Sequence, residues 1–265
     1  MSAFQTIRYA KEEGVATLAL CRPQVINAYN IQMRDEVWQA LHAIRDDPEV
    51  VAVVVYGAGE RGFCAGADLT EFGTAPSQAI ARWVRFLRPV WEVWASIPKP
   101  FVCAIHGWCL GSGVEMALLC DLRVAGEDAV FGMPEVALGM IPAAGGTQTL
   151  PRHIGPSRTL EMLLTNRRLS AHDALAWGLV HRVVPRGRHL AAGMALARSL
   201  AILPPNAVAL VKDALRVGTD LPLAEALAWE TRMALHTLKG SPPVCGPGWQ
   251  TGGPHGGAGG KASAR

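Results

Sequence analysis

The sequence predicts an α/β protein with a mostly parallel sheet, and three observations support that fold class. A β-branched run at 50–55 follows an amphipathic helical stretch, as in a βαβ unit. A second buried strand, at 101–105, leads through a glycine-rich turn into an apolar helix. From about residue 156 the apolar spacing becomes helical throughout. The 265 residues fit one large α/β domain with an appendage.

The composition excludes several classes of protein. Half of the residues (50%) are hydrophobic and only 18% are charged, so most of the chain can bury a core. The net charge of +3 without a dense Lys/Arg run argues against a nucleic-acid partner. Neither a signal-peptide pattern nor an 18-residue apolar run is visible, and the six cysteines form no C-x-x-C pair. We expect a cytoplasmic protein with buried, reduced cysteines and no membrane partner.

The first elements follow from alternation and helical spacing. Residues 5–20 read as a hairpin of two strands with a turn at 12–14. The helix that follows carries one apolar stripe, formed by Met33, Val37, Leu41 and Ile44. With the strand at 50–55 it completes the βαβ unit.

A second long helix is predicted before residue 97, and Pro89 should kink or split it because proline removes a helical hydrogen bond. Five large apolar residues share its stripe: Ile80, Trp83, Leu87, Trp91 and Trp94. Burial habits predict that these tryptophans belong to the core rather than to a cofactor site.

The last third predicts three parts for the chain as a whole. Ser170 and Asp173 have capping-box spacing, and further apolar stripes occur at 206–215 and 223–238. Four apolar residues share one helical face before these stripes: Leu190, Met194, Ala197 and Leu200. Beyond Ser241 the sequence is rich in Gly and Pro without a period, which predicts disorder. We therefore expect three parts: a core at 1–155, a helical region at 156–240 and a tail at 241–265.

Two segments at strand ends are candidates for chemistry, FCAGADLTEF at 63–72 and HGWCLGSGVEMALLCDL at 106–122. Each has small residues where backbone could approach a ligand, and each opens a helix whose first N–H groups lack internal partners. Two such turns facing each other would form an oxyanion hole. The alternative is that the glycines only permit tight turns, and glycine spacing alone leaves both interpretations open.

Common nucleotide and hydrolase motifs are missing from the second segment. Gly111 and Gly113 lead to Met116, so the G-x-G-x-x-G pattern fails, and no G-x-x-x-x-G-K-[ST] occurs. Leu110 and Val114 stand where a nucleophile elbow around Ser112 requires glycines. A Rossmann, Walker or serine-hydrolase site is therefore not indicated.

Two acids, Glu115 and Glu135, lie in apolar surroundings. Burial and a neighbouring carboxylate raise a carboxyl pKa, which suits acid–base catalysis at neutral pH. The alternative is a structural salt bridge or a charge at a helix N-terminus, and the residues alone favour that alternative for either acid. His106 precedes a glycine turn, and a hydrogen-bonded structural role is the commoner one for such a histidine.

Together these segments resemble the enoyl-CoA hydratase/isomerase (crotonase) family over residues 4–238. The resemblance rests on five segments in the family's order: CRPQVINAYN at 21–30, FCAGADLTEF at 63–72, KPFVCAIHGWCLGSGVEMALLCDLRVA at 99–125, FGMPEVALGMIPAAGGTQTLPR at 131–152 and LSAHDALAWGLVHRVVP at 169–185. It implies a crotonase-like spiral of ββα units followed by helices that build homotrimers, often paired into homohexamers.

The resemblance also implies the site. Backbone N–H groups of Ala67 and Ser112 would form the oxyanion hole for an acyl-CoA thioester, the Ala65 region would contact adenine, and the 22–26 loop would help to hold the nucleotide. The implied substrate-binding residues are Arg22, Val25, Ala65, Gly66, Asp68, Leu69, Gly111, Pro134 and Ala143. Coenzyme A is part of the substrate, and neither a metal nor a redox cofactor is implied.

The implied reaction is reversible hydration of a 2-enoyl-CoA, because hydratases of the family use both positions held here by Glu115 and Glu135. One water lies between the two carboxylates and attacks the β-carbon. Isomerases commonly keep only the second acid. Isomerisation and a non-catalytic acyl-CoA-binding role are the alternatives.

Three departures from the family pattern bear on this site. Ser112 replaces a usual glycine, but only its N–H is required. Ala143 replaces the glycine usual after Ile-Pro and adds a methyl group near the thioester position. The family's last helix is missing after about Leu238, where the Gly/Pro tail begins. The third departure bears on closure of the pocket and on part of the oligomer interface.

Overall fold

A computed structural model describes residues 4–239, so the tail predicted at 241–265 lies outside the described residues. The predicted N-terminal hairpin is confirmed: β1 (Ile7–Glu12) pairs antiparallel with β2 (Val15–Leu20) through a turn in which Glu13 and Gly14 have φ of 50° and 79°. The other strands are β3 (Ala52–Gly57), β4 (Gly62–Cys64), β5 (Phe101–Ile105), β6 (Trp108–Leu110), β7 (Leu122–Gly126), β8 (Val130–Gly132), β9 (Leu169–Ser170) and β10 (Arg182–Val184).

The helices lie between and after these strands. They are α1 (Ile31–Asp46), α2 (Gln78–Leu87), α3 (Val90–Ser96), α4 (Ser112–Leu119), α5 (Gly146–Ile154), α6 (Pro156–Leu164), α7 (Ala171–Trp177), α8 (His189–Ala201), α9 (Pro205–Gly218) and α10 (Leu223–Lys239). The side chain of Asn30 caps α1 by accepting from the Met33 N–H, and the four apolar residues predicted for its stripe are all buried.

Two sheets organise the strands, and the mostly parallel arrangement is confirmed. The larger sheet has the order β1-β2-β3-β5-β7-β10, in which every neighbouring pair except β1–β2 is parallel. The smaller sheet has the order β4-β6-β8-β9, with β9 antiparallel to β8. Strand β5 of the larger sheet is followed, after a turn at Gly107, by β6 of the smaller sheet and then by α4. Successive strands of the chain therefore belong to different sheets at this point.

The core lies on both faces of the larger sheet. One cluster of buried residues packs beneath α1, α3 and α4, and a smaller one packs beneath α8. The predicted face of α8 is confirmed, since Ala197 is buried and its partners Leu190, Met194 and Leu200 pack against the smaller cluster. Four of the cysteines are buried and free (Cys64, Cys103, Cys109, Cys120).

The long second helix is split at Pro89 into α2 and α3, as predicted. Trp94 is buried, but Trp83 is 62% exposed, and Ile80 and Leu87 on the same stripe are exposed as well. The prediction that these tryptophans all belong to the core was therefore wrong for Trp83. Helical spacing shows which residues share a face, and it does not show whether that face meets the rest of the same chain.

The C-terminal third is mainly helical, and the capping box of Ser170 and Asp173 is confirmed. The expectation that it is helical throughout was wrong, because this third also contains β9, which pairs with the smaller sheet, and β10, which pairs with the larger sheet. Strands of two and three residues are held by their neighbours and are too short to show a period of their own.

Helices α9 and α10 pack against each other and line a largely apolar groove, in which Leu223 and Leu227 are exposed. Within residues 4–239, no single helix has the length and apolar character needed to cross a membrane; α8 and α9 meet that criterion only as a pair, which is bent by 106°.

Candidate active site

The two strand-end turns predicted for chemistry lie against each other. Gly66 and Gly111 both have positive φ, at 99° and 49°. A Cβ added to Gly111 would lie 3.7 Å from the Cα of Gly66 and 2.5 Å from Oε1 of Glu135. A Cβ added to Gly66 would lie 3.1 Å from the Leu110 carbonyl oxygen. The glycines therefore serve both the turns and a close approach of backbone to backbone.

The N–H groups of Ala67 and Ser112 follow these glycines. Tyr29 brackets Ala67, because its N–H donates to the Gly66 oxygen at 2.8 Å and its oxygen accepts from Asp68 N at 2.9 Å. Ser112 is the first residue of α4, where a helix has no internal acceptor for its amide. Among the described residues neither amide donates to a protein group, so each is available to a ligand oxygen.

Glu115 projects from the first turn of α4 and is only 2% exposed. Its Oε1 accepts hydrogen bonds from Ala144 N at 2.9 Å and from Gly146 N at 2.8 Å, at the start of α5. A Cβ on Gly146 would lie 2.9 Å from that oxygen, so a larger residue would crowd it. Two N–H donors at a helix N-terminus stabilise a carboxylate in its ionised form.

Glu135 follows β8 and faces the same cleft, half-buried. Burial raises the pKa of Glu135 to about 7, the nearby Glu115 carboxylate adds to the rise, and a hydrogen bond from its own backbone opposes it. Its Oε2 is buried and has no partner among the described residues. Near neutral pH, the site therefore pairs an amide-bound carboxylate with one that readily carries a proton.

Both acids and both amides line one cleft of about 700 Å³. Six of the residues implied by the resemblance line it: Ala67, Asp68, Ser112, Glu115, Glu135 and Ala143. The structure does not place the remaining implied residues on the cleft wall: Arg22, Val25, Ala65, Gly66, Leu69, Gly111 and Pro134. Gly66 and Gly111 form the turns that carry Ala67 and Ser112.

The loop at 22–27 is tied to the first turn. Arg22 donates through Nη1 to Asp68 at 2.8 Å and to the Ala28 oxygen at 2.6 Å. Ala65 N donates to the Ile26 oxygen at 2.8 Å. Val25 and Leu69 are exposed beside it. In this structure Arg22 joins two loops, and its predicted contact with a nucleotide stays a prediction.

Several residues that the fold brings to the cleft carry no recognisable signal in the sequence. The Tyr29 and Trp91 rings contact each other at a tilt of 45° with centroids 5.5 Å apart, while Arg34 and Arg88 both contact Asp35. These residues come from α1, from Tyr29 just before it and from the segment around α3, distant from the two turns in sequence. Only the fold shows that these helices face the turns.

His106 does not line the cleft. The Nε2 atom of His106 lies 2.9 Å from the Gly59 oxygen, and its ring stacks on His189 at 4.4 Å, which agrees with a structural role. Within residues 4–239 no group of three or more His, Cys, Asp or Glu side chains is arranged to hold a metal ion.

Comparison with known proteins agrees with this architecture. The profile of the enoyl-CoA hydratase/isomerase family matches residues 10–241. The Bos taurus enoyl-CoA hydratase domain-containing protein 2, mitochondrial, is 39% identical over 223 residues, covering 82% of this chain and 75% of its own length. The Pongo abelii mitochondrial enoyl-CoA hydratase is 36% identical over 228 residues, covering 86% and 78%.

A solved structure shows the same fold. The crystal structure of enoyl-CoA hydratase from Bacillus anthracis superposes with a TM-score of 0.84 at 35% identity, covering 89% of this chain and 92% of that one. The fold and the paired turns define a crotonase-type enzyme of acyl-CoA thioesters. The chain belongs to the enoyl-CoA hydratase/isomerase family.

Proposed function

We propose that this protein reversibly hydrates 2-enoyl-CoA thioesters to 3-hydroxyacyl-CoA. The observation that supports this activity most is the pair of carboxylates in unequal environments beside two backbone N–H groups on one cleft. Adding water across a double bond requires a base for the water and an acid for the α-carbon. Glu115, which accepts from two backbone N–H groups, is suited to the base role, and Glu135, whose raised pKa favours its protonated form, is suited to the acid role.

In the proposed reaction, Glu115 is the base and Glu135 the acid. Glu115 takes a proton from a water whose oxygen bonds to the β-carbon, and the electron pair of the double bond moves onto the thioester oxygen. The N–H groups of Ala67 and Ser112 stabilise that enolate oxygen. Glu135 then delivers its proton to the α-carbon, and exchange with solvent restores both acids.

The overall change is the addition of one water, with no net oxidation or reduction of the substrate. We therefore propose that the reaction proceeds without a redox cofactor, and that the N–H pair supplies the electrostatic stabilisation a metal supplies elsewhere. Coenzyme A enters as part of the substrate. We also propose assembly into a homotrimer or homohexamer, supported by the exposed leucines of α9 and α10.

The test uses two substrates. Crotonyl-CoA should lose its conjugated thioester absorbance and yield 3-hydroxybutyryl-CoA. A 3-enoyl-CoA should show no comparable gain of that absorbance. Rapid conversion of the 3-enoyl-CoA with slow hydration would support isomerisation instead. Binding of butyryl-CoA without turnover of either substrate would support a non-catalytic acyl-CoA-binding role.

A further inference from the structure

A fully buried arginine lies behind the helix that carries the site. Arg123 is at the start of β7, three residues beyond Cys120, the C-cap residue of α4, and is 1% exposed. Its Nη1 donates to the Cys120 oxygen at 2.7 Å and to the Ala117 oxygen at 3.4 Å. Its Nε donates to the Leu179 oxygen at 2.7 Å. One guanidinium thus binds the C-terminal carbonyls of α4 and the turn after α7.

This cation is stabilised without an ion pair. Among the described residues no carboxylate lies within ion-pair distance of Arg123; the nearby Asp121 instead binds Phe101 N at 2.7 Å and Lys212 at 2.8 Å. A buried charge is costly, and the carbonyls at the negative end of a helix are suited to offset that cost. An apolar side chain of similar volume would fill the same space without the cost of desolvating a charge. Packing alone therefore does not account for a guanidinium at this position.

The other end of the same helix holds two groups of the site. Ser112 N–H opens α4, Glu115 lies one turn along, and eight residues of helix span about 12 Å. A short helix moves as a rigid rod, so a shift at its C-terminus displaces Ser112 and Glu115 relative to groups on other elements, such as Ala67. A displacement of about 1 Å at a reacting group is enough to cost about 100-fold in rate.

We infer that Arg123 is a positioning residue of this enzyme: by binding the C-terminal carbonyls of α4, it fixes where the helix presents Ser112 N–H and Glu115. The inference rests on the proposed hydration. The Arg123 backbone contributes as well, since its N–H donates to Nδ1 of His181 at 3.1 Å. The end of α4 is therefore fixed to β7 and to the turn between α7 and β10 together.

The experiment compares Arg123→Met and Arg123→Lys with the control Val124→Ala. Val124 is the next residue of β7, is fully buried and belongs to the cluster beneath α8, so its truncation destabilises the same strand on the opposite face. Crotonyl-CoA hydration gives kcat and KM, butyryl-CoA binding gives Kd, and amide hydrogen exchange reports on α4.

For Arg123→Met we expect kcat to fall by about 10- to 100-fold, while KM and the butyryl-CoA Kd stay within about threefold. Exchange at 113–116 should accelerate. Arg123→Lys, which keeps the charge and fewer donors, should recover part of the kcat. Val124→Ala should lower Tm yet keep kcat within about twofold. Adding Arg123→Met to Glu115→Gln should lower kcat by less than the product of the two single losses, because part of the Arg123 effect acts through Glu115.

The inference is overturned if Arg123→Met and Val124→Ala have equal kcat, or if Arg123→Met raises KM while kcat is unchanged. If Arg123→Met does not fold, Arg123→Lys decides: wild-type kcat with wild-type exchange in α4 overturns the inference, and a reduced kcat at unchanged KM supports it. Failure of the proposed function looks different, because the wild-type protein itself would then leave crotonyl-CoA unconverted.

Discussion

Replacing Glu115 by glutamine removes the negative charge while preserving the shape and the acceptor Oε1. Charge-assisted hydrogen bonds contribute about 1.5–3 kcal/mol each and neutral ones about 0.5–1.5, so converting the bonds from Ala144 N and Gly146 N costs about 2–3 kcal/mol in total. Relief of the desolvation of a 2% exposed carboxylate offsets this loss. The net change in unfolding free energy should stay within about 2 kcal/mol, or a Tm shift of at most about 8 °C.

The effect on hydration should be far larger. Loss of a positioned base lowers kcat by about 10²–10⁴, which corresponds to about 3–5 kcal/mol of activation free energy. The assay follows crotonyl-CoA absorbance at a temperature where both proteins are folded. The pKa of Glu135 should also fall in this variant, yet stay above the usual range, because burial is the larger cause of its rise and the Glu115 charge the smaller.

Glu36→Gln is the matched control, because that carboxylate also accepts from two backbone amides, those of Gln5 and Thr6, and lies outside the described cleft. It changes the same kind of hydrogen bonds without touching the site, so kcat should stay within about twofold. Glu115→Gln with near wild-type hydration would refute the role of Glu115 as base. An equal loss of kcat in Glu36→Gln would show that the loss arises from stability.

Three further predictions concern acid state, oxyanion and assembly. Because burial places the folded-state pKa of Glu135 at about 7, above its unfolded value, ionising it penalises the folded state: the wild type should lose stability relative to Glu135→Gln as pH rises from about 4.5 through 7, and Tm values for both at pH 4, 6 and 8 check the sign. A Tm of Glu135→Gln minus Tm of the wild type that decreases as pH rises would contradict the prediction. Ala67→Pro, which removes an N–H donor, should lower kcat by about 10²–10³, whereas Ser112→Gly keeps its N–H and should change kcat by less than about fivefold. Steady-state kinetics measure both effects, and circular dichroism checks that both variants are folded. A severe loss of kcat in a folded Ser112→Gly would show that the hydroxyl itself takes part. Light scattering should give a trimer or hexamer for the full chain and for a chain ending at Ser241, since exposed Leu223 and Leu227 need cover; a monomeric full chain contradicts assembly, and a trimer lost on truncation shows that the tail takes part.

The elements that the sequence predicted well are those whose patterns are local. The hairpin, the βαβ unit at 15–57, the split at Pro89 and the capping box of Ser170 each depend on residues within a few positions of one another. Strand β10 was not predicted, because its three residues form a strand through pairing with β7, which lies about sixty positions earlier in the sequence. The exposure of Trp83 was not predicted for a related reason, since helical spacing does not show what covers a face.

The same distinction between local and long-range contacts applies to the candidate site. Apolar surroundings singled out Glu115 and Glu135, the resemblance to the family implied Ala67 and Ser112 in the two glycine turns, and the structure brings all four to one cleft. What sequence reasoning could not supply was the difference between the two acids. The amides that bind Glu115 come from the start of α5, about thirty residues away, and only the fold aligns them with its carboxylate.

The most direct test of two-carboxylate hydration follows ¹⁸O. Crotonyl-CoA would be incubated in H₂¹⁸O with the wild-type protein and with the double variant Glu115→Gln/Glu135→Gln, and the products analysed by mass spectrometry. We predict that the wild type forms 3-hydroxybutyryl-CoA carrying one ¹⁸O on its β-carbon, and that the double variant forms it at least about 10³-fold more slowly. Label incorporation by the double variant at the wild-type rate, or a wild-type product that is an unlabelled double-bond isomer, would contradict the account.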